Sequence, residues 1–255
     1  MTEFLQNTLP YNPFQQPRLP GVKPLDMAEW LKPDEACAAQ LAERDRLIAD
    51  HRDAVIAMEP EALEPARELM EVVAGQLYGG APQCLRRTDG REVVLDRADP
   101  LAALGRIAQQ DFCILEKRGS EHVLTAAVLC FPASWSLEEK FGRPLLAIHE
   151  PVGEYSANIA ARVQRLFDGV QPGRPLWRFN ALWYRDPALF QPRRSDARRA
   201  PELASGARYL RSELQSILRL QRTKAVVFSI HTRVLRRADV IAQWGEPLPD
   251  PAEAI

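Results

Sequence analysis

Of the four histidines in the chain, His149 has the most constrained surroundings. Ile148 precedes it and Glu150-Pro151 follows, and the proline biases Glu150 away from helical geometry, so the chain is expected to be extended just beyond His149. A histidine at such a junction can project its ring from a fixed backbone into a cavity. Neutral imidazole is the commonest metal-ligating side chain, and haem iron in many proteins is held by one proximal histidine. A lone histidine is more often a packed or solvated residue, so its neighbours must decide. His231 competes for the same role: it follows the strand-like run 225–230, with Ser229 and Val227 on its face.

The second informative stretch is residues 176–184, LWRFNALWY. Period-two alternation puts Arg178, Asn180 and Tyr184 on one face and Trp177, Phe179, Ala181 and Trp183 on the other. The polar face is either the wet side of a half-covered sheet or a set of groups aimed into a pocket that otherwise excludes water. Arg143, Arg178, Arg211 and Arg222 are guanidiniums that could bind the carboxylates of a haem, because such groups grip carboxylates bidentately.

Other chemistries lack support. There is no G-x-G-x-x-G, no Walker loop and no G-x-S-x-G. H-E-x-x-H is absent, since Pro151 follows His149-Glu150. Cys37, Cys84, Cys113 and Cys130 form no C-x-x-C pair, which speaks against a zinc site, an iron–sulfur cluster or a disulfide scaffold. With 33 basic and 34 acidic residues there is no bulk field to attract nucleic acid or a membrane. No apolar run approaches the roughly 20 residues of a membrane helix. The first residues have neither the basic nor the apolar region of a secretory signal, so a cytoplasmic location is expected.

The elements that must position these groups read as follows. Residues 1–33 form a proline-rich N-terminal arm that Tyr11, Phe14 and Leu19 would pin to the core. Asp34 is expected to cap a long helix reaching Met58, on which His51 is solvated. A second helix spans 60–78, closed by Gly79-Gly80. A short strand is expected at 92–95 and a short helix at 100–109. Residues 111–117 and 121–131 read as a hairpin about Arg118-Gly119-Ser120. Its second strand is covered on both faces, and His122 is expected at the surface beside the turn. A helix follows over 155–168, then the strand 176–184 and a basic surface loop within 190–207. Residues 208–221 read as an amphipathic helix burying Leu210, Leu214, Ile217 and Leu218, with Glu213 placed to pair with Arg211 or another arginine. Residues 225–230 form a central strand. The fold class is α+β, with a single domain over 34–245 and a peripheral tail at 246–255.

The run F-P-x-x-W-x-x-x-x-K-x-G-R-P-L-x-x-I-H-x-P-V at 131–152 resembles the haem-dependent oxidative N-demethylases. So do, in order, GVKPLD-x-x-x-WL at 21–31, QDFCILEK at 110–117, Arg178-Phe179-Asn180, and LRSELQSILRLQRTKAVVFSIHT at 210–232. The resemblance implies a PAS-like antiparallel sheet with packed helices and N-terminal helical additions. It implies haem b in this chain, with His149 favoured over His231 as the iron ligand, since the I-H-x-P-V context matches and position 231 commonly carries Arg in the family. The implied reaction is oxidative N-demethylation of a small secondary amine, typified by dimethylamine, with O2. Electrons would come from NADPH through a separate iron–sulfur flavoprotein reductase, so FMN, [2Fe-2S] and folate are expected on partner subunits. Arg178 and Asn180 are the candidates for orienting the amine, and Arg143, Arg211 and Arg222 for holding the haem. One departure is Ala181, where the family pattern has Trp, which bears on pocket volume and substrate. A haem-based gas sensor and a catalytically silent structural subunit are the alternative readings.

Overall fold

The computed structural model describes residues 4–15, 21–133, 135–149, 157–193 and 206–246. In chain order, β1 (Lys23–Pro24) and α1 (Met27–Trp30) lead to α2 (Cys37–Asp50), α3 (Arg52–Val55), β2 (Ile56–Met58), a 3-10 turn at Pro60–Ala62 and α4 (Leu63–Tyr78). The small hairpin β3 (Cys84–Arg86) and β4 (Glu92–Val94) precedes α5 (Pro100–Ile107). Then come β5 (Asp111–Arg118), β6 (Glu121–Val128), α6 (Leu137–Lys140), α7 (Leu145–His149), α8 (Ala157–Gly169), β7 (Leu176–Tyr184), β8 (Tyr209–Arg219), β9 (Val226–Arg236) and α9 (Arg237–Trp244). The large sheet runs β1-β7-β8-β9-β5-β6-β2, and every pairing is antiparallel. The chain is thus α+β, with α6, α7 and α8 inserted between the first and second hairpins of the sheet.

Residues 208–221 are a strand and its approach, not the expected helix. Leu210, Leu214 and Leu218 recur every four residues, a spacing that fits one helix face and one strand face equally. The decision is made by β9, which pairs with β8 over eleven residue pairs from Tyr209↔Arg236 to Arg219↔Val226. Strand geometry sends Leu210, Ser212, Leu214, Ser216 and Leu218 to one face and Arg211, Glu213, Gln215, Ile217 and Arg219 to the other.

The expected long first helix is also divided. Asp34 accepts from the Ala36 amide (3.1 Å) and shapes the approach, but the helix begins at Cys37 with Ala36 as its cap. His51 leaves helical geometry, and residues 56–58 pair with β6. His51 is exposed, as expected. Gly79 closes α4 in the left-handed conformation at φ 74°.

The N-terminal helices pack on one sheet face, where Trp30, Leu47, Leu69, Met70, Leu104, Phe112, Ile114 and Val227 form the larger core. The arm extends that layer over β7. Tyr11 stacks on Phe179 with ring centroids 4.3 Å apart, Phe14 lies by Trp183, and the Tyr11 hydroxyl meets Ser212 Oγ at 3.0 Å. Leu19 and the tail beyond residue 246 lie outside the described residues. The opposite face carries a second core, in which Cys113, Leu115, Leu124, Ala127 and Ile217 meet Leu137, Leu145, Phe167 and Val170 from the α6–α8 layer.

Candidate haem site on the second sheet face

Directly paired residues of an antiparallel sheet share a face, so the register draws this surface row by row. Leu176, Ile217, Phe228, Cys113, Ala127 and Ala57 form an apolar row across six strands. Arg178, Gln215 and Ile230 form the next, then Asn180, Glu213 and Thr232. A polar group set on β7 and β8 therefore borders an apolar platform, under helices that supply more apolar side chains. Phe228, Arg178, Asn180 and Gln215 are only half-buried.

The polar set is interlinked. Asn180 Nδ2 and Gln215 Nε2 both donate to Glu213 Oε2 at 3.3 Å, and Asn180 Oδ1 accepts from the Glu213 amide at 3.3 Å. Arg211 Nε lies 3.6 Å from Glu213 Oε1. Behind the sheet, Ser212 Oγ donates to the Asn180 carbonyl at 2.7 Å, fixing that residue from the other side. The pairing of Glu213 with Arg211 is as expected, but the place of Glu213 and Gln215 beside Asn180 is hidden by the helical period of 208–221. The period-two run Leu210, Ser212, Leu214, Ser216, Leu218 was the signal that could have placed them.

The four candidate arginines separate. Arg211 is buried and committed, donating to Leu189 O (3.0 Å) and Phe131 O (2.6 Å). Arg222 sits at the exposed β8–β9 turn, where its amide donates to Glu68 and its guanidinium pairs with Glu71 of α4 (2.7 Å), in the layer covering the other face. Arg143 is exposed in the turn between α6 and α7, and its carbonyl accepts from Leu124 N at 3.1 Å. Arg178 is the one on the platform face whose guanidinium has no hydrogen-bond partner among the described residues, and its Nε is closed off from solvent. Burial lowers its pKa, with the Glu213 charge opposing.

His149 is the last residue of α7, which packs against β6 and α8. Its neighbour Ile148 joins the second core, and Lys140 Nζ donates to the Ile148 carbonyl. The His149 side chain and residues 150–156, including the extended Glu150 expected from Pro151, lie outside the described residues. Upstream, Asp111 fixes the start of this segment by accepting from Cys130 N (2.7 Å) and Phe131 N (3.0 Å), while pairing with Arg44 (2.7 Å). Downstream, Arg219 donates to Phe167 O (2.6 Å) and Val170 O (2.8 Å), closing the C-terminus of α8.

Two other histidines, both buried, are packed into the two cores. His231 is buried on the other face, with Nδ1 3.2 Å from Gln110 Nε2 and 3.3 Å from Arg233, and Nε2 3.1 Å from Asp34 Oδ2. Burial lowers its pKa, Arg233 adds to the effect, and Asp34 opposes it, and the ring is held as a core hydrogen-bonding group. His122, expected at the surface, is buried against Phe167, its Nδ1 2.8 Å from Gln164 Nε2. The turn beside it is exposed, but α8 lies over the strand and covers the ring.

The family described as haem-dependent oxidative N-demethylase, alpha subunit-like, matches residues 21–248, about nine-tenths of the chain. The chain belongs to that family. The family name carries haem dependence and membership of a multi-component enzyme, and the described residues offer groups that suit the cofactor: an apolar row on one sheet face, and a half-buried guanidinium whose Nε has no hydrogen-bond partner among the described residues. No helix among the described residues is long and apolar enough to cross a membrane.

Proposed function

We propose that this chain is the haem b-binding subunit of an oxidative N-demethylase acting on a small secondary amine such as dimethylamine. The single observation that supports this beyond the family match is the platform itself, an apolar row bordered by an acceptor-rich polar set on one sheet face. Its five long strands run antiparallel in the order β6-β5-β9-β8-β7, with the helical connection covering that face, which supports the PAS-like reading. His149, at the margin of the same layer, is the residue proposed to hold the iron, since His231 lies on the other face and His122 is packed beneath Phe167 with Nδ1 bonded to Gln164.

Bound haem would supply oxygen activation, with electrons from a separate NADPH-dependent iron–sulfur flavoprotein reductase. The chain's own groups orient the amine. An amine nitrogen needs hydrogen-bond acceptors where it is shielded from water, because an unpaired polar or charged group there is costly. Glu213 Oε1 and the Gln215 side-chain carbonyl offer such acceptors, and Asn180 is held beside them by its two bonds to Glu213. Ala181 lies on the other face, under the arm, so its departure from the family pattern acts on the packing of β7 and leaves the platform lining unchanged.

The test is the visible spectrum of the purified chain with and without dithionite, followed by titration with dimethylamine. A histidine-ligated haem spectrum that shifts saturably with amine is expected, and His149→Ala should lose it. Clean CO and NO binding with no response to any small secondary amine would favour the gas-sensor reading.

A further inference from the structure

The sequence offers Arg178 for two roles, orienting the amine or binding a carboxylate of the haem. Its surroundings separate the two. The arginines that β8 presents on this face have their charges answered: Arg211 has Glu213 and three oxygen acceptors, and Arg219 has the carbonyls closing α8. Arg178 has no hydrogen-bond or ion-pair partner among the described residues, its Nε is sealed from water, and Glu213 acts on it only from beyond ion-pair distance. Glu213, one row away, already takes two amide donors and faces Arg211. A half-buried guanidinium left without a close partner is stabilised by an anion brought from outside, and its planar fork matches a carboxylate. A substrate ammonium would be repelled.

Resting on the haem reading above, the geometry points to Arg178 as the residue that binds a carboxylate of the haem, which takes it out of amine orientation. Three features agree. Arg178 shares its row with Gln215 and Ile230 and adjoins the apolar row of Leu176, Ile217 and Phe228, so a flat apolar ligand on that row puts its polar edge at Arg178. Of the other candidates, Arg211 is consumed by Phe131 and Leu189, and Arg222 belongs to the opposite layer. Arg143 is exposed, where a carboxylate contact would be weakened by water and salt.

The experiment compares ferric haem with its dimethyl ester, in which both carboxylates are uncharged, in Soret-monitored titrations of the full chain. The wild type should bind the ester roughly 10- to 100-fold more weakly, the range of one charge-assisted bidentate contact. Arg178→Met should weaken haem by about the same factor and bind haem and ester alike. Arg178→Lys should recover part of the discrimination, and Arg143→Met should keep all of it. Because the methionine removes an unanswered charge, the urea midpoint of Arg178→Met should not fall, which separates lost binding from lost folding. An Arg178→Met protein that still discriminates as the wild type does overturns the assignment of Arg178 alone. A wild type that binds neither form overturns the haem reading beneath it.

Discussion

Asp111→Asn is the substitution most diagnostic of how the ligand-bearing segment is held. The Asp111 and Arg44 side chains are both fully buried, 2.7 Å apart. The carboxylate also accepts from Cys130 N and Phe131 N, so it serves three donors, and Arg44 adds bonds to Gly105 O and Gln109 O. Asparagine has one acceptor oxygen and a donor NH2 in place of the second, so at least one of the three donors meets another donor. Arg44 is left as a buried charge without its anion. Removing one partner of such a pair costs about 3–5 kcal/mol, which for a chain of this size lowers the melting temperature by roughly 6–20 °C. Urea unfolding followed by circular dichroism measures it. Adding Arg44→Met should return about 1–3 kcal/mol, because the orphaned charge is gone and the asparagine oxygen can turn to the two amides. The haem affinity of Asp111→Asn should drop as well, since Phe131 begins the segment that ends at His149. A loss below about 1 kcal/mol, or strict additivity in the double variant, would refute this account.

Arg211→Met should cost about 3 kcal/mol by orphaning the Phe131 and Leu189 carbonyls, whereas Arg222→Met should cost under about 1 kcal/mol and leave haem affinity unchanged. Comparative denaturation and Soret titration check both. His122 and His231 have folded-state pKa values lowered chiefly by burial, so below about pH 6.5 the unfolded chain binds more protons than the folded one. Stability should therefore be fully present above that pH and fall as pH drops from about 6.5 toward 5, a slope that His122→Gln and His231→Gln each reduce in urea midpoints. Asn180→Leu should weaken dimethylamine binding by roughly fivefold, about 1 kcal/mol for a hydrogen-bonding group, with the haem spectrum retained.

Much of this protein is legible in its residues alone. The 111–128 hairpin follows from alternation and a Gly-containing turn, α4 from periodicity and Gly79, and the two-sided character of 176–184 from period two. The ordered motifs identify the family, because they are local strings that need no contact to be recognised. The rest depends on which segments meet. Residues 208–221 satisfy both a helical and a strand period, and only the ladder to β9 selects the strand, bringing Glu213 and Gln215 beside Asn180. His122 is a turn-proximal histidine in sequence and a buried one in space, because α8 arrives from some forty residues downstream. The four arginines are chemically identical in the sequence. Their roles diverge only through burial and partners: Arg211 spends its donors on two distant carbonyls, Arg222 meets Glu71, and Arg178 is partly desolvated with no close partner among the described residues. Local pattern sets which groups exist and which face they share, while the free energy of a charge depends on its neighbours in three dimensions, which only the tertiary structure supplies.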